Sequence, residues 1–188
     1  AFEQGLPLDH ILITVLFLTG FTTILSCQTN THEGETVKMN TKDFHQYWHG
    51  QNAVMFGDTL VLCDSGSSVI ARNEVLNFSF SADILTLDGA EGFVEFPLNS
   101  ENDSASREYA VVINNSVYRT GNPLKTGSLY HIRNNFVRMA EDGKWFNLNI
   151  IVQGSSIKVR VNDRIISEYT QPRNSMRKTE SPGPFFTK

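Results

Sequence analysis

An all-β sandwich is the fold this sequence predicts, and three observations predict it. From Tyr47 onward, short runs rich in Val, Ile, Phe and Tyr recur about every 10 to 15 residues, separated by Gly, Asn, Asp and Ser. Several runs alternate apolar with polar residues, the period-two pattern of a strand buried on one face. No long amphipathic helical pattern interrupts them. The expected strands are Ala53–Phe56, Thr59–Cys63, Ser68–Arg72, Leu76–Leu85, Gly92–Leu98, Tyr109–Asn114, Ser128–Arg133, Phe146–Gln153, Ile157–Asn162 and Ile165–Tyr169. About ten strands joined by short turns imply a sandwich or jelly roll.

The last three strands are the clearest. Phe146, Leu148, Ile150 and Val152 alternate with Asn147, Asn149 and Gln153, with Ile151 breaking the polar side. Gly154-Ser155-Ser156 then turns the chain, and Ile157, Val159 and Val161 alternate with Lys158, Arg160 and Asn162. Asn162-Asp163 suits a tight hairpin turn, because both residue types tolerate positive φ.

Bulk properties narrow the function. The chain has 188 residues, enough for one domain. Charged residues make up 19%, the formal net charge is −4, and no basic stripe points to nucleic acid. No Gly-rich phosphate loop, nucleophile elbow or Cys/His metal cluster is present, so nucleotide, serine-hydrolase and zinc chemistries lack support.

The N-terminal region reads as a targeting segment. Ile11–Leu25 carries no charge and is about 15 residues long, too short for a membrane span but suited to a signal-peptide core. It ends Leu25-Ser26-Cys27 and turns abruptly polar at Gln28-Thr29-Asn30, which resembles the lipobox of bacterial lipoproteins. The residues alone also allow the run to be a buried helix or strand pair; the resemblance implies acylation at Cys27, a leader over residues 1–27, a flexible tether over 28–42 and a sandwich over 43–188. The protein is then exported and membrane-anchored, in the periplasm or at the cell surface. The chain opens on Ala1 with no Lys or Arg before the apolar run, so an incomplete leader is expected. Cys63, in an apolar run, reads as a buried thiol.

Asp83 and Glu95 are the acidic residues that alternation places together. If Leu76–Leu85 and Gly92–Leu98 form a hairpin about Leu87-Asp88-Gly89, Phe78, Phe80, Ala82 and Ile84 share a core face with Val94, Phe96 and Leu98. Asp83 and Glu95 then lie near one another on the opposite face. Two carboxylates at that spacing suit glycosidic acid/base chemistry, a divalent cation clamp, or simple solvation. His131 is a further general-base candidate because its pKa lies near neutrality, and a strand through Ser128–Arg133 puts it on one face with Arg133. Trp145, after a polar turn, can stack on a sugar ring or cap the core. Tyr118, Arg119, Lys125, Tyr130, Arg133 and Asn147 complete the set of candidate hydroxyl-binding residues.

The motifs carry a family resemblance. Lys125-Thr126-Gly127-Ser128-Leu129-Tyr130, Gly143-Lys144-Trp145, then Ile150, Gly154, Ile157 and Asn162-Asp163 resemble the 3-keto-disaccharide hydrolase domain, formerly DUF1080, common in Bacteroidetes lipoproteins. Tyr109-Ala110-Val111-Val112-Ile113 resembles its Tyr-Glu-Val-Gln-Ile strand, and Gly92-Phe93-Val94-Glu95-Phe96 lies where it has a Ser-Gly-Ile strand. The resemblance spans nearly everything after Asp43. It implies a concanavalin A-like jelly roll with a sugar site on the concave sheet, and glycosidic cleavage of oxidised sugars. The family's Glu and Gln fall on Ala110 and Val112, its Asn after the Trp on Phe146, and its Arg closing the Ser-Gly-Ile strand is missing. Those departures favour a second reading, a non-catalytic carbohydrate-binding or structural surface module. The family continues beyond a Gly-Pro turn like Gly183-Pro184 into one more strand, so the last sandwich strand is expected to be missing here.

Overall fold

The computed structural model describes residues 15–17, 23–30, 36–38, 48–56, 59–62, 67–71, 77–98, 107–117 and 123–172. Its strands are β1 (Val15–Phe17), β2 (Thr23–Asn30), β3 (Thr36–Lys38), β4 (Trp48–Gln51), β5 (Ala53–Phe56), β6 (Thr59–Leu62) and β7 (Ser68–Ala71). They are followed by β8 (Phe78–Leu85), β9 (Glu91–Leu98), β10 (Arg107–Asn114), β11 (Trp145–Gln153), β12 (Ser156–Val161) and β13 (Arg164–Thr170). The larger sheet runs β13-β12-β11-β8-β2-β6-β5, with β3 beside β2. The smaller runs β1-β9-β10, and β4 pairs with β7. The protein is an all-β, antiparallel jelly-roll sandwich, and among the described residues no helix is long and apolar enough to cross a membrane.

The two sheets enclose one core. Phe78, Phe80, Ala82 and Ile84 of β8 and Phe146, Leu148, Ile150 and Val152 of β11 meet Val94, Phe96 and Leu98 of β9 and Tyr109, Val111 and Ile113 of β10. Phe78 and Phe96 pack edge to face with centroids 5.4 Å apart, the geometry that ring quadrupoles favour. Each large apolar side chain taken wholly out of water contributes about 1.5–3 kcal/mol, which is why these alternating faces close on one another.

The C-terminal hairpins follow the sequence reading. Asn162 (φ 48°) and Asp163 (φ 65°) form the two-residue turn between β12 and β13, and both central positions need positive φ. Gly154 (φ 55°) turns β11 into β12.

Two expectations are corrected. β8 and β9 do not form a hairpin: β8 pairs with β11 and β2, and β9 with β1 and β10. The turn at Leu87–Ala90, closed by the Ala90 N–H on the Leu87 carbonyl, carries the chain from one sheet to the other. Their apolar faces therefore meet across the core rather than side by side. Alternation fixes which residues face inward but cannot distinguish these two arrangements.

Ser128–Arg133 is not a strand either. The N–H groups of Ile132 and Arg133 both return to the Leu129 carbonyl, and His131 takes φ 56°. The turn lets Leu129 point into the core while Tyr130 stays outside it. Conversely, β3 and β4 have no counterpart in the sequence reading, and β1 and the start of β2 fall in the apolar run that the sequence leaves open to a leader or to a buried helix or strand pair. β2 includes Cys27, whose backbone lies opposite Ala82 of β8; Cys63 lies outside the described residues.

Candidate functional site

The outer face of β9 and β10 gathers the chemistry. Inward residues of β9 leave Glu91, Phe93, Glu95 and Pro97 on its other side, and inward residues of β10 leave Glu108, Ala110, Val112 and Asn114. The register sets Glu91 opposite Asn114, Phe93 opposite Val112, Glu95 opposite Ala110 and Pro97 opposite Glu108. The segment after Pro123 runs along the free side of β10. Thr126 N–H donates to the Asn114 carbonyl, Val112 N–H to the Ser128 carbonyl, and Tyr130 N–H to the Ala110 carbonyl. Three rows thus cross the face: Glu91–Asn114–Thr126, Phe93–Val112–Ser128 and Glu95–Ala110–Tyr130.

Gly127 allows that approach. Its φ of +89° is left-handed, and a Cβ there would meet Ile166 Cγ2 of β13 at 2.9 Å. Ser167 Oγ donates to the Gly127 carbonyl at 2.8 Å, so the segment is docked on β13 as well as β10.

Two carboxyls on this face are displaced from their ordinary behaviour. Burial pushes Glu95 up to about 7, and the nearby Glu108 carboxylate, diagonal to it on β10, adds to the rise. Burial also pushes Glu91 up to about 7, against the opposing charge of Lys125. Asn114 Nδ2 donates to Glu91 Oε1 at 3.1 Å, and Lys125 Nζ to the Ser116 carbonyl at 2.8 Å. Four residues of strand separate Glu91 from Glu95, about 13 Å, beyond the spacing of a glycosidase carboxylate pair. Glu95 and Glu108, diagonal neighbours whose Cβ atoms lie roughly 7 Å apart, are within it.

Between the carboxyls the face is apolar. Phe93, Ala110, Val112 and Leu124 form a second buried cluster, against which half-buried Tyr130 packs. The Phe93 and Tyr130 rings meet edge to face at 5.8 Å, and exposed His131 lies against Tyr130 at 4.0 Å. Behind the Glu91 end lies a polar cluster. Asn115 Nδ2 donates to Thr86 Oγ1, Thr86 Oγ1 donates to Asp142 Oδ1, and Thr126 Oγ1 donates to Asn115 Oδ1. Burial raises the Asp142 pKa. These bonds hold Asn114 and Asn115 at the end of β10.

The structure separates the acidic pair expected from sequence. Asp83 is exposed on the outer face of β8, in the other sheet, where Asn147 Nδ2 donates to its Oδ1 at 2.9 Å. With the core between them, Asp83 and Glu95 cannot act on one bond or clamp one cation. Among the described residues, no group of three His, Cys, Asp or Glu is placed to hold a metal ion. Trp145 is exposed and shares Asp83's face rather than Glu95's. Arg133 does not share a strand face with His131; its Nε reaches the Glu168 carbonyl at 3.4 Å. Glu95, Lys125, Tyr130 and His131 are brought to the β9–β10 side, whereas Asp83, Trp145 and Asn147 are not. Tyr118 and Arg119 lie outside the described residues.

Sequence reasoning passed over Glu91, Glu108 and Asn114. Their polar parity in strands with one apolar face was the available signal.

The searches of curated proteins and of solved structures find no match. Residues 34–186 match the family described as the 3-keto-alpha-glucoside-1,2-lyase-like domain. The matched span includes every residue of the β9–β10 face, and the family is carbohydrate-related. The chain therefore belongs to the 3-keto-alpha-glucoside-1,2-lyase-like domain family.

Proposed function

We propose that this domain binds an oxidised sugar on the outer face of β9 and β10 and cleaves its glycosidic bond, with Glu95 moving the proton. The observation that carries this reading is a half-buried carboxyl whose pKa of about 7 lets it accept and return a proton near neutral pH. A ketone at C3 of a glucoside acidifies the hydrogen at C2. Ionised Glu95 removes that proton, the electron pair forms the C1–C2 double bond, and the C1–O bond breaks. The departing oxygen takes a proton from the now protonated Glu95 or from water. Addition of water to the unsaturated product completes a net hydrolysis. Burial holds the Glu95 pKa high, with Glu108 adding to the rise, and Tyr130 supplies an aromatic edge beside the small Ala110.

The test is incubation of the purified chain with keto- and ordinary disaccharides. Release of monosaccharide from the keto substrate, lost in Glu95→Gln, supports the reading; turnover that survives Glu95→Gln defeats it.

A second reading has its own observation. Ala110 and Val112 join Phe93 and Leu124 in an apolar cluster at the centre of this face, better suited to stacking than to polarising a bond. Sugar binding without turnover by the same chain selects this module reading.

We also propose that the protein is exported and anchored through Cys27. The support is the uncharged run before Leu25-Ser26-Cys27 and the polar residues after it. Cleavage ahead of Cys27 removes Thr23, Ile24 and Leu25, the residues that pair β2 with β6. Mass spectrometry of the membrane-fraction protein checks this: an acylated Cys27 at the terminus is expected, and a chain retaining residues before it contradicts it.

A further inference from the structure

A cavity of about 680 Å³ lies against β12 and β13, in the sheet opposite Glu95, and the proposed reaction makes no use of it. Arg133, Lys158 and Arg160 line it, with Glu168 as its one carboxylate and Gln153 and Ser156 as neutral polar neighbours. Lys158 Nζ meets Glu168 Oε1 at 2.8 Å, so that pair is satisfied within the wall. Two guanidinium groups remain. Among the described residues the Arg133 side chain makes one long bond, to the Glu168 carbonyl at 3.4 Å. Arg160 Nε is buried and has no hydrogen-bond partner among the described residues.

The wall therefore carries two guanidinium groups with no carboxylate partner among the described residues, and a carboxylate or sulfate oxygen is the partner that guanidinium geometry fits best. The placement of Arg160 is built in. The β12–β13 ladder slips at Val159/Arg160, where Val159 faces Ser167 and Arg160 faces Ile165. A bulge of this kind redirects the side chains beside it, and bulges concentrate next to functional sites.

We infer that this cavity is a second saccharide site, specific for a sugar carrying a carboxylate or sulfate group, with Arg160 and Arg133 holding the oxyanion. Gln153 and Ser156 offer hydrogen bonds to ring hydroxyls. The inference takes from the proposed function only that the ligands are saccharides; it needs neither Glu95 nor catalysis.

Isothermal titration of the full chain with glucuronate, glucose 6-sulfate and neutral glucose tests it. The acidic sugars should bind and glucose should not. Arg160→Gln should weaken acidic-sugar binding at least about tenfold, the loss expected from one charge-assisted contact, without lowering the melting temperature. Arg133→Gln should weaken it in the same direction, and Glu95→Gln should leave it unchanged. Equal binding of glucose, unchanged affinity in both arginine variants, or loss of binding in Glu95→Gln overturns the inference. So does Arg160-dependent binding to anionic phospholipid vesicles with no binding of either acidic sugar.

Discussion

Glu95 faces Ala110 directly across the β9–β10 ladder, so a half-buried carboxyl stands opposite a methyl group rather than a polar partner. Its raised pKa makes folding pH-dependent. The folded state holds a proton that the unfolded state releases near 4.5, so the stabilisation is complete below that pH and is lost as pH rises through about 7. Glu91 acts in the same direction. Urea unfolding should therefore show stability falling between these values. Glu95→Gln should flatten the fall by roughly 1–2 kcal/mol, a figure reduced for the solvent that the carboxylate still sees.

Glu108 sets part of that pKa from its diagonal position. Glu108→Gln should lower the Glu95 midpoint by up to about 0.7 unit, since a cross-strand charge pair is worth at most about 1 kcal/mol. Carbon-13 NMR titration of the glutamate carboxyls reads the shift. An unmoved midpoint would mean that burial alone sets it.

Gly127 is where the docked segment is least tolerant of change. Gly127→Ala combines a left-handed φ with a contact on Ile166, and should cost at least about 1–2 kcal/mol in urea unfolding. The same variant should weaken sugar binding, because Tyr130 is held by this segment.

The β-pattern was legible because alternation is a direct consequence of one buried face. Phe146 to Val152 and Ile157 to Val161 turn inward as their spacing implies. The sheet to which a strand belongs was not legible. β8 and β9 are adjacent in sequence and carry matching apolar faces, yet they meet through Phe78 and Phe96 across the core. That one ambiguity sent Asp83 to Glu95's side on paper. Glu95, Glu91 and Glu108 all share the outward parity of β9 and β10, but which of them lie close together depends on the β9–β10 register, which alternation leaves open. His131 was misplaced because Ser128–Arg133 has strand composition while its backbone folds back on Leu129.

Tyr109 ties the core to the end of β13. Its hydroxyl donates to Gln171 Oε1 at 2.8 Å, both residues being buried. Tyr109→Phe leaves that amide oxygen without its donor and should cost about 1–3 kcal/mol in chemical denaturation. The Glu95 titration should not move.

The central claim is that sugar binds on the β9–β10 face rather than on the β8–β11 face, and amide chemical-shift mapping tests it most directly. Titrating a 3-keto-disaccharide into the isotope-labelled chain should perturb Phe93, Glu95, Ala110, Val112 and Tyr130 while leaving Ser81, Asp83, Asn147 and Asn149 in place. Shifts confined to the second group would contradict the account.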